Sequence, residues 1–131
     1  MTNATELLFD TTALVDIYRG HTAVRHHFDA VLVHDILPYI SVITEAELWR
    51  GLRTEELERH ELILAQFITL SVEYATARLD GTWMQRYEAI GLGWMDALIV
   101  ASAKLAELPV LTRDKRLAEV LATEAEFEVY G

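Results

Sequence analysis

Short apolar runs alternate along this chain with longer stretches whose apolar residues recur every three or four positions, the pattern of βα units and a parallel sheet. Glu6–Asp10 (ELLFD) predicts a first strand. Thr11 or Thr12 is placed to cap the helix that follows, with Leu14, Val15 and Tyr18 at helical spacing. His21–Asp35 predicts a second helix with Val24, Phe28, Val31 and Leu32 on one face. Tyr39–Ile43 (YISVI) is β-branched and aromatic and predicts a second strand. Thr44 then caps a helix carrying Glu45, Glu47, Leu48 and Trp49, and Thr44 with Glu47 has capping-box spacing. Thr54 opens a helix through Ile68, packed through Leu57, Leu64, Phe67 and Ile68. Thr69–Val72 predicts a third strand and Glu73–Ile90 a helix interrupted near Gly81. Trp94–Glu107 is apolar around most of its circumference and predicts a largely buried helix. Val110–Thr112 predicts a fourth strand, Lys115–Leu121 a short helix and Phe127–Tyr130 a fifth strand.

With 131 residues the chain has the usual size of one domain and buries roughly two-thirds of its unfolded surface. It holds no cysteine, which excludes a disulfide framework, a thiolate metal site and a cysteine nucleophile, and which fits a reducing cytoplasm. MTNATELLFD lacks the charged and apolar regions of a signal peptide, and the longest apolar run, Ala97 to Ala103, is too short for a membrane span. A soluble protein with no membrane partner is expected. The net charge is −10, from 21 acidic and 11 basic side chains. Nucleic-acid binders are ordinarily basic. The charge therefore argues against tight binding of naked nucleic acid, unless the acids hold cations and a few clustered arginines hold the phosphates.

Position, more than number, distinguishes four of the acids. Asp10 ends the first strand, Glu47 lies in the first turn after the second, Asp96 in the first turn of the buried helix and Asp114 just past the fourth strand. Open α/β sheets bind ligands outside the carboxyl ends of their strands, which places three of these acids on the binding edge. Asp96 shares a helix face with Val100 and Ala103, which point inward, so it opens towards the same pocket. Gathered carboxylates raise one another's pKa unless a cation neutralises them. Mg2+ or Mn2+ suits an all-oxygen set, activating a water and clamping the oxygens of a phosphodiester. Taken singly, Asp10, Glu47 and Asp114 serve equally well as helix caps. Asp96 is harder to read that way, because its sequence neighbours are apolar.

FDTTALVDIYRG at 9–20, SVITEAELWRG at 41–51, MDALIVASA at 95–103 and VLTRDKRL at 110–117 resemble, in order and spacing, the four blocks of PIN domains, especially of VapC-type toxins. The resemblance spans nearly the whole chain. It implies a single PIN domain over residues 1–131, with a Rossmann-like three-layer α/β fold around a mostly parallel sheet of about five strands. It further implies a Mg2+- or Mn2+-dependent endoribonuclease, the toxin of a type II toxin–antitoxin pair, with RNA as substrate, a cognate antitoxin and a homodimer as partners. Carried over by position, the catalytic acids are Asp10, Glu47, Asp96 and Asp114, with Asp10, Asp96 and Asp114 on the metal. Thr112, and Thr11 or Thr12, match hydroxyl residues that support them. Many members carry a further acid two residues beyond the fourth; here that place is Arg116, followed by Leu117 where an aromatic is common. A second metal is then expected to bind weakly, or only with RNA.

Arg19, Arg50, Arg53, Arg113, Lys115 and Arg116 lie beside the acidic blocks and are candidates either to hold the RNA backbone or to pair with nearby acids. His21, His26, His27, His34 and His60 lack ligand spacing and are expected on solvent faces. Trp49, Trp83 and Trp94 are expected in core or interface packing, and Glu55, Glu56, Glu58 and Glu61 on a solvated face. Glu45 and Glu47 lie about 200° apart around their helix, so Glu45 is expected in solvent if Glu47 faces the metal. The alternative function is a catalytically weak PIN-like module that only binds protein. A receiver domain would need paired acids after the first strand and a lysine after the last, where this chain has Asp10 alone and Tyr130.

Overall fold

Leu7 and Phe9 turn to one side of the first strand and Leu8 to the other, and the same alternation sorts the whole molecule into layers. The computed structural model describes residues 4–131. Five strands, β1 (Thr5–Phe9), β2 (Ile36–Ser41), β3 (Ile68–Leu70), β4 (Val110–Thr112) and β5 (Phe127–Val129), form one sheet in the order β3-β2-β1-β4-β5. Every pairing is parallel, with Leu7 opposite Pro38, Leu8 opposite Val110 and Tyr39 opposite Ile68. Such strands need cover on both faces. Leu7, Phe9, Ile40 and Leu111 pack on one side with α1 (Thr11–Tyr18), α2 (Arg25–Leu32) and α4 (Leu57–Leu64). Leu8 and Val110 pack on the other with α5 (Tyr74–Tyr87), α6 (Trp94–Leu105) and α7 (Lys115–Val120). The remaining helix, α3 (Val42–Arg50), buries Leu48 in the first cluster. The expected three-layer α/β architecture with five parallel strands is what the chain adopts.

Several boundaries differ from the pattern reading. The predicted helix 21–35 is a 3-10 turn at Thr22–Val24 followed by the shorter α2. It ends where His34 takes a left-handed φ of 65° and the Asp35 N–H returns to the Ala30 carbonyl at 2.8 Å. β2 starts three residues earlier than predicted and runs through Pro38. The proline is tolerated because β3 joins only at Tyr39, one residue further on. The helix expected from Thr54 to Ile68 is a 3-10 turn, Thr54–Glu56, and then α4; Ile68 belongs to β3, and Leu57 is exposed. Gly81 does not interrupt α5. Burial of Trp83 and Met84 against the second cluster overrides the roughly 1 kcal/mol that a helical glycine costs.

From β1 the chain winds outward through β2 and β3, returns to place β4 on the other side of β1, and ends with β5. The winding direction therefore reverses between β1 and β4. A crevice at the carboxyl ends of two such strands is where open α/β sheets bind ligands.

Candidate active site

Asp10 follows β1 at this crevice and is itself the N-cap of α1, a role the sequence reading assigned to Thr11 or Thr12. Its Oδ1 accepts the Ala13 N–H at 3.1 Å and the Thr12 hydroxyl at 2.6 Å. Its Oδ2 accepts the Thr112 hydroxyl, also at 2.6 Å. Three of about four acceptor positions are thus filled, and the carboxylate, 4% exposed, has one left to offer. Burial raises its pKa, the three donors counter that rise, and the Asp114 charge adds to it.

Thr112 ends β4 and accepts the Asp114 N–H at 2.9 Å while donating to Asp10. One hydroxyl therefore ties β1 to the turn after β4. Asp114 caps α7, taking the Leu117 N–H at 3.0 Å. The turn is held from the other side as well, because the Arg113 N–H donates to Thr12 Oγ1 at 3.2 Å.

Glu47 is half-buried in the second turn of α3, later than expected, because the helix begins at Val42 with Ser41 as its cap. Ser41 Oγ accepts the Ile43 N–H at 3.0 Å. Thr44 is buried inside the helix and caps nothing. Its hydroxyl lies 3.0 Å from that of Thr11, which donates to Glu47 Oε1 at 2.7 Å. The capping-box reading of Glu47 is therefore excluded, and Thr11 aims Glu47 at the crevice.

Asp96 stands in the first turn of α6, with Val100 and Ala103 on its face fully buried. Its pKa is pushed up to about 6, first by burial and then by the charges of Asp10, Asp114 and Glu47. Asp96 thus feels the charges of the other three predicted acids. All four present oxygen donors. Among the described residues no three Asp, Glu or His side chains converge as a ready-made metal cage. This donor set fits a hard divalent cation held by one or two carboxylates and water, and not a closed all-protein site.

Other expectations are corrected. Glu45 is not solvated: its Oε1 lies 3.2 Å from Nε2 of His60, whose Nδ1 is 2.6 Å from the Tyr18 hydroxyl. His60 and His27 are buried, not on solvent faces; His27 Nε2 pairs with Glu128 at 2.5 Å. Trp83 lies in the core, whereas Trp49 and Trp94 are 54% and 52% exposed. Glu55, Glu56, Glu58 and Glu61 are solvated as expected. Of the candidate basic residues, Arg113 is engaged by an acid, its Nε 3.1 Å from Asp16 Oδ2. Arg19, Arg50, Arg53 and Lys115 are exposed. Asp16 and Tyr130 were not singled out from the sequence. Asp16 is wholly buried and accepts the Tyr130 hydroxyl at 2.6 Å; its signal was a lone acid amid Ala13, Leu14 and Ile17.

A family model described as the PIN domain matches residues 7–121. The chain belongs to the PIN-domain family. Ribonuclease VapC10 of Mycobacterium tuberculosis is 34% identical over 110 residues, covering 81% of this PIN chain and 80% of the relative. Among solved structures, the chain resembles DNA-bound VapBC from Salmonella typhimurium, with a TM-score of 0.78, 21% identity and coverage of 95% and 98%. It also resembles a toxin–antitoxin complex from Klebsiella pneumoniae, with a TM-score of 0.74, 24% identity and coverage of 94% and 96%. At these identities the two structures speak for the PIN fold alone.

Proposed function

We propose that this PIN domain is an endoribonuclease that hydrolyses RNA phosphodiester bonds with a bound Mg2+ or Mn2+ ion, and that it is the toxin of a type II toxin–antitoxin pair. The carrying observation is the gathering of four carboxylates at the β1–β4 crevice, where burial, and then the charges of Asp10, Asp114 and Glu47, push the Asp96 pKa up to about 6. The ribonuclease relative supports the reaction and the substrate. The toxin–antitoxin neighbour supports a protein antitoxin as partner, and the proposal includes a homodimer in the cytoplasm. No helix among the described residues is long and apolar enough to cross a membrane.

Asp10, Asp96 and Asp114 would hold the ion, which supplies a water of lowered pKa and charge stabilisation at the phosphate. Thr12 and Thr112 fix the orientation of Asp10, leaving a single acceptor position for the site. Thr11 fixes Glu47 at the rim, where it holds or takes up a proton from the attacking water. Burial and the neighbouring charges push the Asp96 pKa up to about 6, a rise that a bound cation would reverse.

The rival, a catalytically weak protein-binding module, draws on the absence of a ready-made cage among the described residues. Incubation of labelled RNA with the protein separates the two. Cleavage is expected with Mg2+ or Mn2+, and none with EDTA or with Asp96→Asn. Intact RNA under every metal condition, or cleavage that survives Asp96→Asn, overturns the proposal.

A further inference from the structure

Arg116, the second residue of α7, lines a cleft of about 70 Å3 with Asp96 and Asp114, over an apolar floor of Leu92, Leu117 and Val120. The volume admits a phosphate group and its waters and is far below that of a site for a drug-sized ligand. Nη2 of Arg116 donates to the Ile90 carbonyl at 2.8 Å. Gly91 makes the room for this contact. Its φ is +106°, which L side chains rarely adopt, and a Cβ there would stand 3.2 Å from Nη2.

The anchor is a neutral carbonyl. Although Arg116 shares the cleft with two carboxylates, it takes part in none of the ion pairs among the described residues. Arg113 and Arg86 differ, being occupied by Asp16 and Glu124, while Arg59, held like Arg116 on neutral carbonyls, does not line this cleft. A guanidinium carries five N–H donors in a planar fork, and the Ile90 carbonyl takes one. Arg116 is therefore a cation fixed at the edge of the acidic pocket with most of its donors free. A chain of net charge −10 repels a polyanion, so a strand that reaches these acids needs a local positive group at that edge.

We propose that Arg116 is the phosphate clamp of the site, gripping a phosphate of the RNA strand that lies across Asp96 and Asp114. The proposal rests on the ribonuclease reading. It assigns strand positioning to this one cation and removes Arg113 from that role.

The test measures binding, not turnover. Fluorescence anisotropy would follow a short single-stranded 2′-O-methyl oligoribonucleotide, with Ca2+ in place of Mg2+, over a series of salt concentrations. Arg116→Gln is expected to weaken binding about 5–10-fold at low salt and to reduce the slope of log affinity against log salt by about 0.7, the value of one single-strand phosphate contact. Arg116→Lys should keep the slope, and Lys104→Gln, in the last turn of α6, should change neither quantity. Wild-type binding that Arg116→Gln leaves with an unchanged slope overturns the clamp and leaves the ribonuclease reading standing, even if affinity or melting temperature falls. A wild type that neither binds the oligonucleotide nor cleaves RNA overturns both.

Discussion

Asp16 and Asp96 are both withdrawn from water on helices that flank the sheet, yet their surroundings are opposite. Asp16, the deeper of the two, meets the Arg113 guanidinium and the Tyr130 hydroxyl. Asp96, besides its burial, feels the charges of Asp10, Asp114 and Glu47. Burial alone therefore does not mark a functional acid. Asp16 is held through Oδ2, which takes both Arg113 and Tyr130, and it braces the fold, joining α1 to the β4–α7 turn and to the residue after β5. Asp96 is given no opposite charge, and burial with three like charges raises its pKa, a cost that a cation would relieve.

The contrast is most sharply broken by isosteric amides. Asp10→Asn and Asp96→Asn are each expected to reduce RNA cleavage by about a thousandfold or more, since each would remove a charged oxygen ligand of the proposed ion. Their stabilities should diverge. An amide nitrogen at position 10 cannot accept from Thr12 or Thr112, so Asp10→Asn lowers stability by about 1–3 kcal/mol. Asp96→Asn removes a repelled charge and raises the melting temperature at neutral pH. Thermal melts beside cleavage assays check both; equal melting shifts of one sign would show that the two acids do not differ as described.

Glu47→Gln should lower cleavage by about a hundredfold, in the range of a lost proton-transfer group, with little change in melting temperature. Glu45→Gln should do the reverse, because Glu45 closes the chain Tyr18–His60–Glu45 and touches no other acid of the site. Comparable losses of turnover in the two variants would place Glu45 in the site as well.

Asp16→Ala removes the partner of both Arg113 and Tyr130. A loss of about 2–3 kcal/mol is expected, below the full value for breaking a buried pair because Arg113 is partly exposed. Tyr130→Phe should cost about 1 kcal/mol. Urea unfolding of the two variants measures both, and an Asp16→Ala protein as stable as the wild type would remove the brace from the account.

The smallest expected effect is on pH dependence. The folded-state pKa of Asp96 is raised, so the folded protein binds more protons than the unfolded chain between the ordinary carboxylate value of about 4 and about 6. Its contribution to stability therefore falls as pH rises through that window. The melting advantage of Asp96→Asn over wild type should be greatest above pH 6 and vanish near pH 4. A constant advantage across the range would assign it to packing.

The layered fold and the crevice were legible in the sequence because period-two and period-3.6 patterns report which faces are buried, and acids after strands report the binding edge. Boundaries were less so. The second strand was expected to start at Tyr39, after Pro38, although β2 has only one neighbour at the proline and runs through it, and Gly81 was expected to break a helix although packing carries α5 through it. The caps were misassigned because Asp10 and Ser41 compete locally with the threonines that follow them, and propensity ranks the candidates almost equally. What could not be read at all was partnership. That Glu45 meets His60 and Arg113 meets Asp16 depends on which helices touch, and spacing along one helix does not record that.

The hydrogen bond from Thr112 to Asp10 spans 102 positions of sequence. During synthesis at about 5–20 residues per second, roughly 5–20 s separate the appearance of its two ends. Until β4 arrives to pair with β1, Asp10 lacks Thr112, Asp114 has no crevice to border, and the charges that press on Asp96 are not assembled. A nuclease so arranged stays unarmed throughout most of its own translation, while the messenger that encodes it is the nearest RNA.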